Sequence, residues 1–174
     1  MEQTENQYSM PPPAYQQPVV RYAGFWKRFA AHLIDKLIIS VVAMIILIPF
    51  IAMMGMTTFM SRRHDIESVG LFVSVFILYL GAILLIIVAE WLYFAIMESR
   101  RGATIGKMAL GIVVTDLTGQ KISFGRASGR YFSKILSGLI LYVGYMMAGW
   151  TQQKQALHDI VAGTLVLEKG NNFF

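Results

Sequence analysis

Two long stretches without a charged residue dominate the chain, Leu37 to Ser61 and Ser68 to Ala89. About 20 apolar residues, each rising about 1.5 Å, span the hydrocarbon core of a bilayer. Each stretch therefore predicts a membrane helix; with their flanks the two cover about 29–56 and 68–97. Pro49 is expected to kink the first helix or to mark its frayed far end. The second continues past Glu90 through Trp91, Leu92, Tyr93 and Phe94, an aromatic group suited to the membrane interface. A third uncharged run, Ile135 to Gln153, is just long enough to cross, but Gly138, Gly144 and Gly149 interrupt it. It predicts a third segment at about 131–150, either a crossing or a re-entrant, broken piece.

The pattern between these runs is different. Residues 99–125 are polar and basic. Within them Gly111–Thr115 reads as a strand, Asp116–Gln120 as a turn and Lys121–Phe124 as a return strand, which together make a small hairpin. Arg126, Arg130 and Lys134 recur every four residues and so share one helix face. The chain closes with a short helix at 155–162 and a strand at 164–167. That strand would pair naturally with Gly111–Thr115, which requires the third run to turn back; a single crossing puts the C-terminus on the other side. The expectation is an all-α membrane protein of about three transmembrane helices with a small cytoplasmic β-hairpin, three crossings being taken over two.

Composition sharpens this picture. Hydrophobic residues make up 56% and charged residues 14% of the 174 residues, against about 45–50% and about 25% in soluble chains. Together with a mean hydropathy of +0.55, these values exclude an ordinary soluble domain and a disordered chain. The first twenty residues hold Pro11, Pro12, Pro13 and Pro18 among Gln, Asn and Tyr, with no Lys or Arg. They predict a disordered Pro/Gln-rich tail rather than a signal peptide. The membrane domain is then 21–168, with 169–174 a short C-terminal tail. The basic residues Arg21, Lys27 and Arg28 and the group from Arg100 to Arg126 outnumber Arg62 and Arg63. The positive-inside rule therefore places the N-terminus and the long loop in the cytoplasm. The net charge of +5 comes from scattered groups rather than the dense basic face of a nucleic-acid binder. There is no Cys, which removes thiolate catalysis and Cys-ligated metal.

Candidate chemistry resides in the few charges near the apolar runs. Arg28, His32 and Asp35 stand at i, i+4 and i+7, on one face of a helix. Asp35 lies about two turns inside, where an unpaired carboxylate is expensive. It reads equally as a cation or proton site and as half of an ion pair with Arg28, His32 or a base on another helix. Glu90 and Glu98 are about two turns apart and face roughly the same way. Glu98 reads as a structural salt bridge to Arg130 or Arg28, and the deeper Glu90 as the better functional acid. His158 and Asp159 read as part of a proton path or as a helix cap. Gly102-Ala-Thr-Ile-Gly-Lys-Met108 looks like a phosphate loop, but its glycines are one residue too close and Met108 stands where Ser or Thr is needed. The three histidines lack metal-ligand spacing. No enzymatic activity, metal or cofactor is expected.

Several blocks resemble the RDD family of bacterial membrane proteins, named for one arginine and two aspartates. Arg28-Phe-Ala-Ala-His-Leu-Ile-Asp35 is similar to its opening signature, and Gly102 through Asp116 to its central block. Ser123-Phe-Gly-Arg126, Arg130-Tyr131 and Ala156-Leu-His-Asp159-Ile-Val-Ala-Gly163 are similar to the stretches that follow. The resemblance covers about 21–168 and leaves out the Pro/Gln-rich tail. It implies Arg28, Asp35 and Asp159 as the named residues and a multi-pass protein of the bacterial inner membrane. Transport, including cation/proton exchange, is a proposal for that family. Two functions follow as expectations, the first taken over the second. One is transport of monovalent cations and protons through a cluster of Arg28, Asp35, His158 and Asp159, in a homo-oligomer because three helices enclose no pathway. The other is a non-transporting accessory or assembly factor, its charges locking helices together and its tail or long loop docking a membrane-protein partner.

Overall fold

The computed structural model of the chain describes residues 20–60, 66–139 and 143–170. Most of the predicted tails 1–20 and 169–174, namely 1–19 and 171–174, and the charged loop at 61–65 lie outside the described residues. Helix α1 (Phe25–Met60) and helix α2 (Ile66–Arg101) each have 36 residues and pack against each other. Both are long and apolar enough to cross a membrane. They are apolar on all sides, as expected where the surroundings are lipid and not water: Ile45, Leu84 and Leu85 are about two-thirds exposed. The polar ends behave in the opposite way, since Asp35 and Glu98 are almost wholly buried. Charge sits inside and hydrocarbon outside, the reverse of a soluble protein. Pro49 does not end α1, which runs on through it to Met60.

The buried charges belong to a compact head at one end of the helix pair. It contains α3 (Ile105–Ala109), strand β1 (Ile112–Asp116), α4 (Phe124–Leu139), α5 (Val143–Met146) with a 3-10 turn at Met147–Gly149, α6 (Leu157–Ala162) and β2 (Thr164–Glu168). The two strands pair antiparallel, with Ile112 opposite Glu168 and Asp116 opposite Thr164. The segment before α1 joins them: Tyr22 bridges Leu167, and the Ala23 N–H donates to the Val166 carbonyl at 2.9 Å. Ile112, Val114 and Val166 pack on Ala31, Ala95 and Ala127 of three different helices.

The two-stranded sheet was expected, but one partner differs. Lys121–Phe124 forms no return strand. The turn itself forms as read, with the Asp116 carboxylate accepting from the Thr118 and Gln120 N–H groups at 2.9 Å. Beyond it Ser123 starts a helix: its hydroxyl accepts from the Arg126 N–H at 3.3 Å and its carbonyl from the Ala127 N–H. A serine that satisfies free N–H groups is a strong helix-start signal, and here it prevails over strand propensity. The edge of β1 is thereby left for β2.

The third apolar run is broken. At 16 residues α4 is only about 24 Å long, short of a bilayer core of about 30 Å. The direction of Val143–Gly149 differs from that of α4 by 117°. Gly144 permits the return leg to lie against α4, since a Cβ there would stand 2.9 Å from the Ser137 Cα. Hydrogen-bonded strands cannot lie on opposite sides of a bilayer. The pairing of β2 with both β1 and residue 22 therefore requires the third segment to come back, the re-entrant or broken form that the sequence left open beside a crossing. Because the chain has no Cys, this is directly testable. Cysteines placed singly at the exposed positions Gln120 and Gly170 should label from the same side of sealed, oriented vesicles. Labelling of the two from opposite sides would refute the re-entrant path.

Candidate functional site

Arg130 is the centre of the head. It projects from α4 with 2% side-chain exposure and bridges two carboxylates on different elements. Its Nη1 donates to Glu98 of α2 at 2.9 Å, and its Nε to Asp159 of α6 at 2.8 Å. The outer partners continue the chain of charges. Lys107 of α3 donates to the other Glu98 oxygen at 2.5 Å, and Arg28 of α1 to the other Asp159 oxygen. Five alternating charges thus link five helices. Each carboxylate meets two cations, the arrangement that compensates for removing charges from water.

Asp159 also accepts from the Ala156 N–H at 3.1 Å, so the capping role read for it is present. Burial favours its protonated form, but Arg130, His158 and Arg28 outweigh that and hold the carboxyl well below the usual range. His158 lies beside it, with Nε2 3.5 Å from Asp159 and Nδ1 3.3 Å from the Ser137 hydroxyl. Burial pushes this imidazole down to about 3, against the pull of Asp159, so it is neutral near pH 7. Burial likewise lowers the Lys107 ammonium to about 7, with Glu98 opposing.

Asp35 is not part of this chain of charges. Arg28, seven residues back and about 10 Å away along the axis, is held by Asp159 instead. The Asp35 carboxylate takes the Tyr93 hydroxyl at 2.9 Å, the Thr104 hydroxyl at 2.5 Å and the Gly106 N–H at 2.8 Å. All are neutral donors, and no cation among the described residues pairs with Asp35. Glycine at 106 makes this fit possible, because a Cβ there would overlap the Ala31 carbonyl oxygen of α1. His32 does not pair with Asp35 either; its ring lies 6.3 Å from that of Phe94. Glu90 meets Lys36 of α1 at 2.5 Å on the more open side.

Of the residues singled out in the sequence, Arg28, Glu98, Arg130, His158 and Asp159 converge. Asp35 borders the same cavity by a separate route, His32 lines it, and Glu90 is remote from the cluster. Four contributors were missed: Tyr93, Thr104, Lys107 and Lys134. The last completes the basic stripe of α4, and Thr104 and Lys107 lie in the glycine segment set aside as a failed phosphate loop. A cavity of about 360 Å³ lies against the network, walled by residues of all six helices and of β2.

This arrangement draws on the opening, central and C-terminal blocks of the family resemblance and on Arg130, and the comparison with known proteins agrees: the RDD family matches residues 22–163. The chain belongs to the RDD family. It is 36% identical over 148 residues to the uncharacterized protein YxaI of Bacillus subtilis (strain 168), covering 84% of this chain and 97% of that one. The uncharacterized membrane protein YteJ of the same strain is 29% identical over 160 residues, 85% of this chain and 82% of its own. A proline-rich antigen homolog of Mycobacterium tuberculosis is 34% identical over 65 residues, 37% of this chain and 27% of that one. No solved structure matches the chain.

Two outcomes are expected. Arg130→Ala leaves Glu98 and Asp159 buried with one cation fewer each and should destabilise the head by about 3–5 kcal/mol, read as thermal or denaturant unfolding in detergent. An unchanged midpoint would show that the network contributes nothing to stability. The second outcome concerns pH. The ring of His158 has an ordinary value of 6.5, so between there and about 3 the unfolded chain binds a proton that the folded one refuses. Stability should fall as pH drops through this window, by up to about 1.4 kcal/mol per unit. Below the ordinary Asp159 value of 3.8 the fall should steepen, as only the unfolded carboxylate protonates. His158→Gln should flatten the slope between pH 6 and 4; an identical slope would assign it elsewhere.

Proposed function

We propose that this RDD-family protein is a non-transporting accessory protein of the bacterial inner membrane, with its N-terminus and head in the cytoplasm. The observation that carries this reading is that the clustered carboxylates are already engaged. Asp159 and Glu98 each bind two cations, and the Asp35 oxygens hold three neutral donors. A transport site must exchange its partners. Withdrawing one partner from a buried pair leaves an uncompensated charge, at a cost of about 3–5 kcal/mol. The geometry suits a lock better than a relay. The charge distribution supports the orientation, since Arg21, Arg100, Arg101 and Lys121 all border the head. In this reading the head holds the helix pair as a rigid platform, and the Pro/Gln-rich tail and the exposed Asp116–Gln120 turn are where a membrane-protein partner or a second copy docks. The proposal assigns the protein no enzymatic activity and no cofactor.

Cation/proton exchange is the second reading, and Asp35 favours it. It is a buried carboxylate at a cavity wall whose partners are all neutral, so a monovalent cation or a proton would meet no basic competitor bonded to it. Reconstitution into liposomes with a pH gradient separates the two readings. With Na⁺, K⁺ or Li⁺ added in turn, the accessory reading expects the gradient to persist for wild type, Asp35→Asn and Asp159→Asn alike. Cation-dependent collapse in wild type that is lost in Asp35→Asn would overturn it in favour of exchange.

A further inference from the structure

The cavity beside the charge network has a composition that the network does not explain. Its charged wall residues are Arg28, Lys107, Arg130 and Lys134 against Asp35 alone. Lys107 and Arg130 are committed to Glu98 and Asp159. Lys134 is not. Its ammonium lies 4.1 Å from the centre of the Phe94 ring and 5.8 Å from that of Tyr131, and no carboxylate among the described residues pairs with it. Glu98, Asp159 and Asp35 are near enough to act on it through space, but Glu98 and Asp159 are bound by other cations and Asp35 by three neutral donors. Arg28 is unmet in part as well. Its Nε donates to the Ala23 carbonyl and its Nη1 to Asp159, while the buried Nη2 has no acceptor. Buried donors of charged groups normally find a partner.

Apart from the His32 and His158 imidazoles, the remainder of the wall is largely apolar. Phe25, Phe29 and Tyr145 contribute rings, and Met146 closes the side toward α5. Phe29 and Met146 are about half exposed, so the rim on that side is hydrocarbon and continues into the lipid-facing surface of α1. A site with unmet cations inside and an apolar rim opening toward the membrane matches a ligand with an anionic head and an apolar tail.

We propose that this cavity binds the phosphate-bearing headgroup of an anionic phospholipid, with Lys134 as its charge partner and the acyl chains leaving past Phe29 and Met146. The proposal goes beyond the accessory reading and stands whether or not the protein moves ions. The ammonium leaves its ring contact for a phosphate oxygen, a stronger partner in a poorly solvated site. The Asp35 carboxylate on the same wall keeps its negative charge, but Arg28, Lys107, Arg130 and Lys134 outnumber it there. A free phosphate ion offers the same oxygens without the tails, so the two must be separated by experiment.

The full-length protein in a neutral detergent would be titrated with phosphatidylglycerol, with phosphatidylcholine and with inorganic phosphate, reading bound lipid by native mass spectrometry and the unfolding midpoint in parallel. Phosphatidylglycerol should bind in preference to phosphatidylcholine and raise the midpoint. Lys134→Gln should weaken that preference about tenfold, the effect of losing one charge-assisted bond. Lys169→Gln removes the same charge from an exposed site outside the cavity and should leave the preference intact. If Lys134→Gln does not fold, Met146→Glu serves instead, since it places a carboxylate on the exposed rim and should abolish the preference. No preference in wild type, an equal loss in Lys134→Gln and Lys169→Gln, or retention in a folded Lys134→Gln or Met146→Glu would overturn the proposal. Stabilisation by inorganic phosphate without phosphatidylglycerol binding would also overturn it, leaving a free-anion site.

Discussion

The Arg130 guanidinium between Glu98 and Asp159 is the interaction on which the head depends. Its planar fork satisfies two carboxylates that approach from different helices, which a lysine's single ammonium would not do with the same geometry. Each carboxylate retains an oxygen for a second cation, Lys107 or Arg28. The network therefore closes only when α1, α2, α3, α4 and α6 are all in place. Such a cluster contributes specificity of arrangement more than net stability, because desolvation offsets much of the attraction.

That constraint sets the topology. For Asp159 to reach Arg28, the chain beyond α4 must return to the start of α1. The same return brings β2 to β1 and to residue 22. The broken third segment, the glycine at 144 and the short α5 are the means by which it does so. Asp35 works in parallel, holding the start of α3 against α1 through Thr104 and Gly106. Two independent anchors thus fix the glycine segment: Asp35 at the Thr104 hydroxyl and the Gly106 N–H, and Glu98 at Lys107. A segment that looks like a defective phosphate loop is a joint between two membrane helices.

The cavity is a by-product of this locking with a charge of its own. Cations gathered to neutralise Glu98 and Asp159 outnumber the carboxylates, and Lys134 is left with aromatic rings as its neighbours. In lipid surroundings an unpaired ammonium is costly, and that imbalance is what distinguishes the cavity from ordinary packing space.

The uncharged runs alone determined the two membrane helices, because the length and apolarity a bilayer demands are local properties of the sequence. The turn at Asp116, the strand before it and the closing strand were equally legible, as was the shared face of Arg126, Arg130 and Lys134. The pairings were not. Periodicity placed Arg28 and Asp35 on one helix face, but spacing along a helix says nothing about a competitor arriving from a distant segment, and Asp159 takes the arginine. Strand propensity at Lys121–Phe124 lost to the helix start at Ser123, which left the edge of β1 to β2. Whether the third run crosses or returns was likewise undetermined, since its length permits both. Only long-range contacts decide among partners that are equivalent in local sequence, and here the closure of the buried charges and of the sheet made that decision.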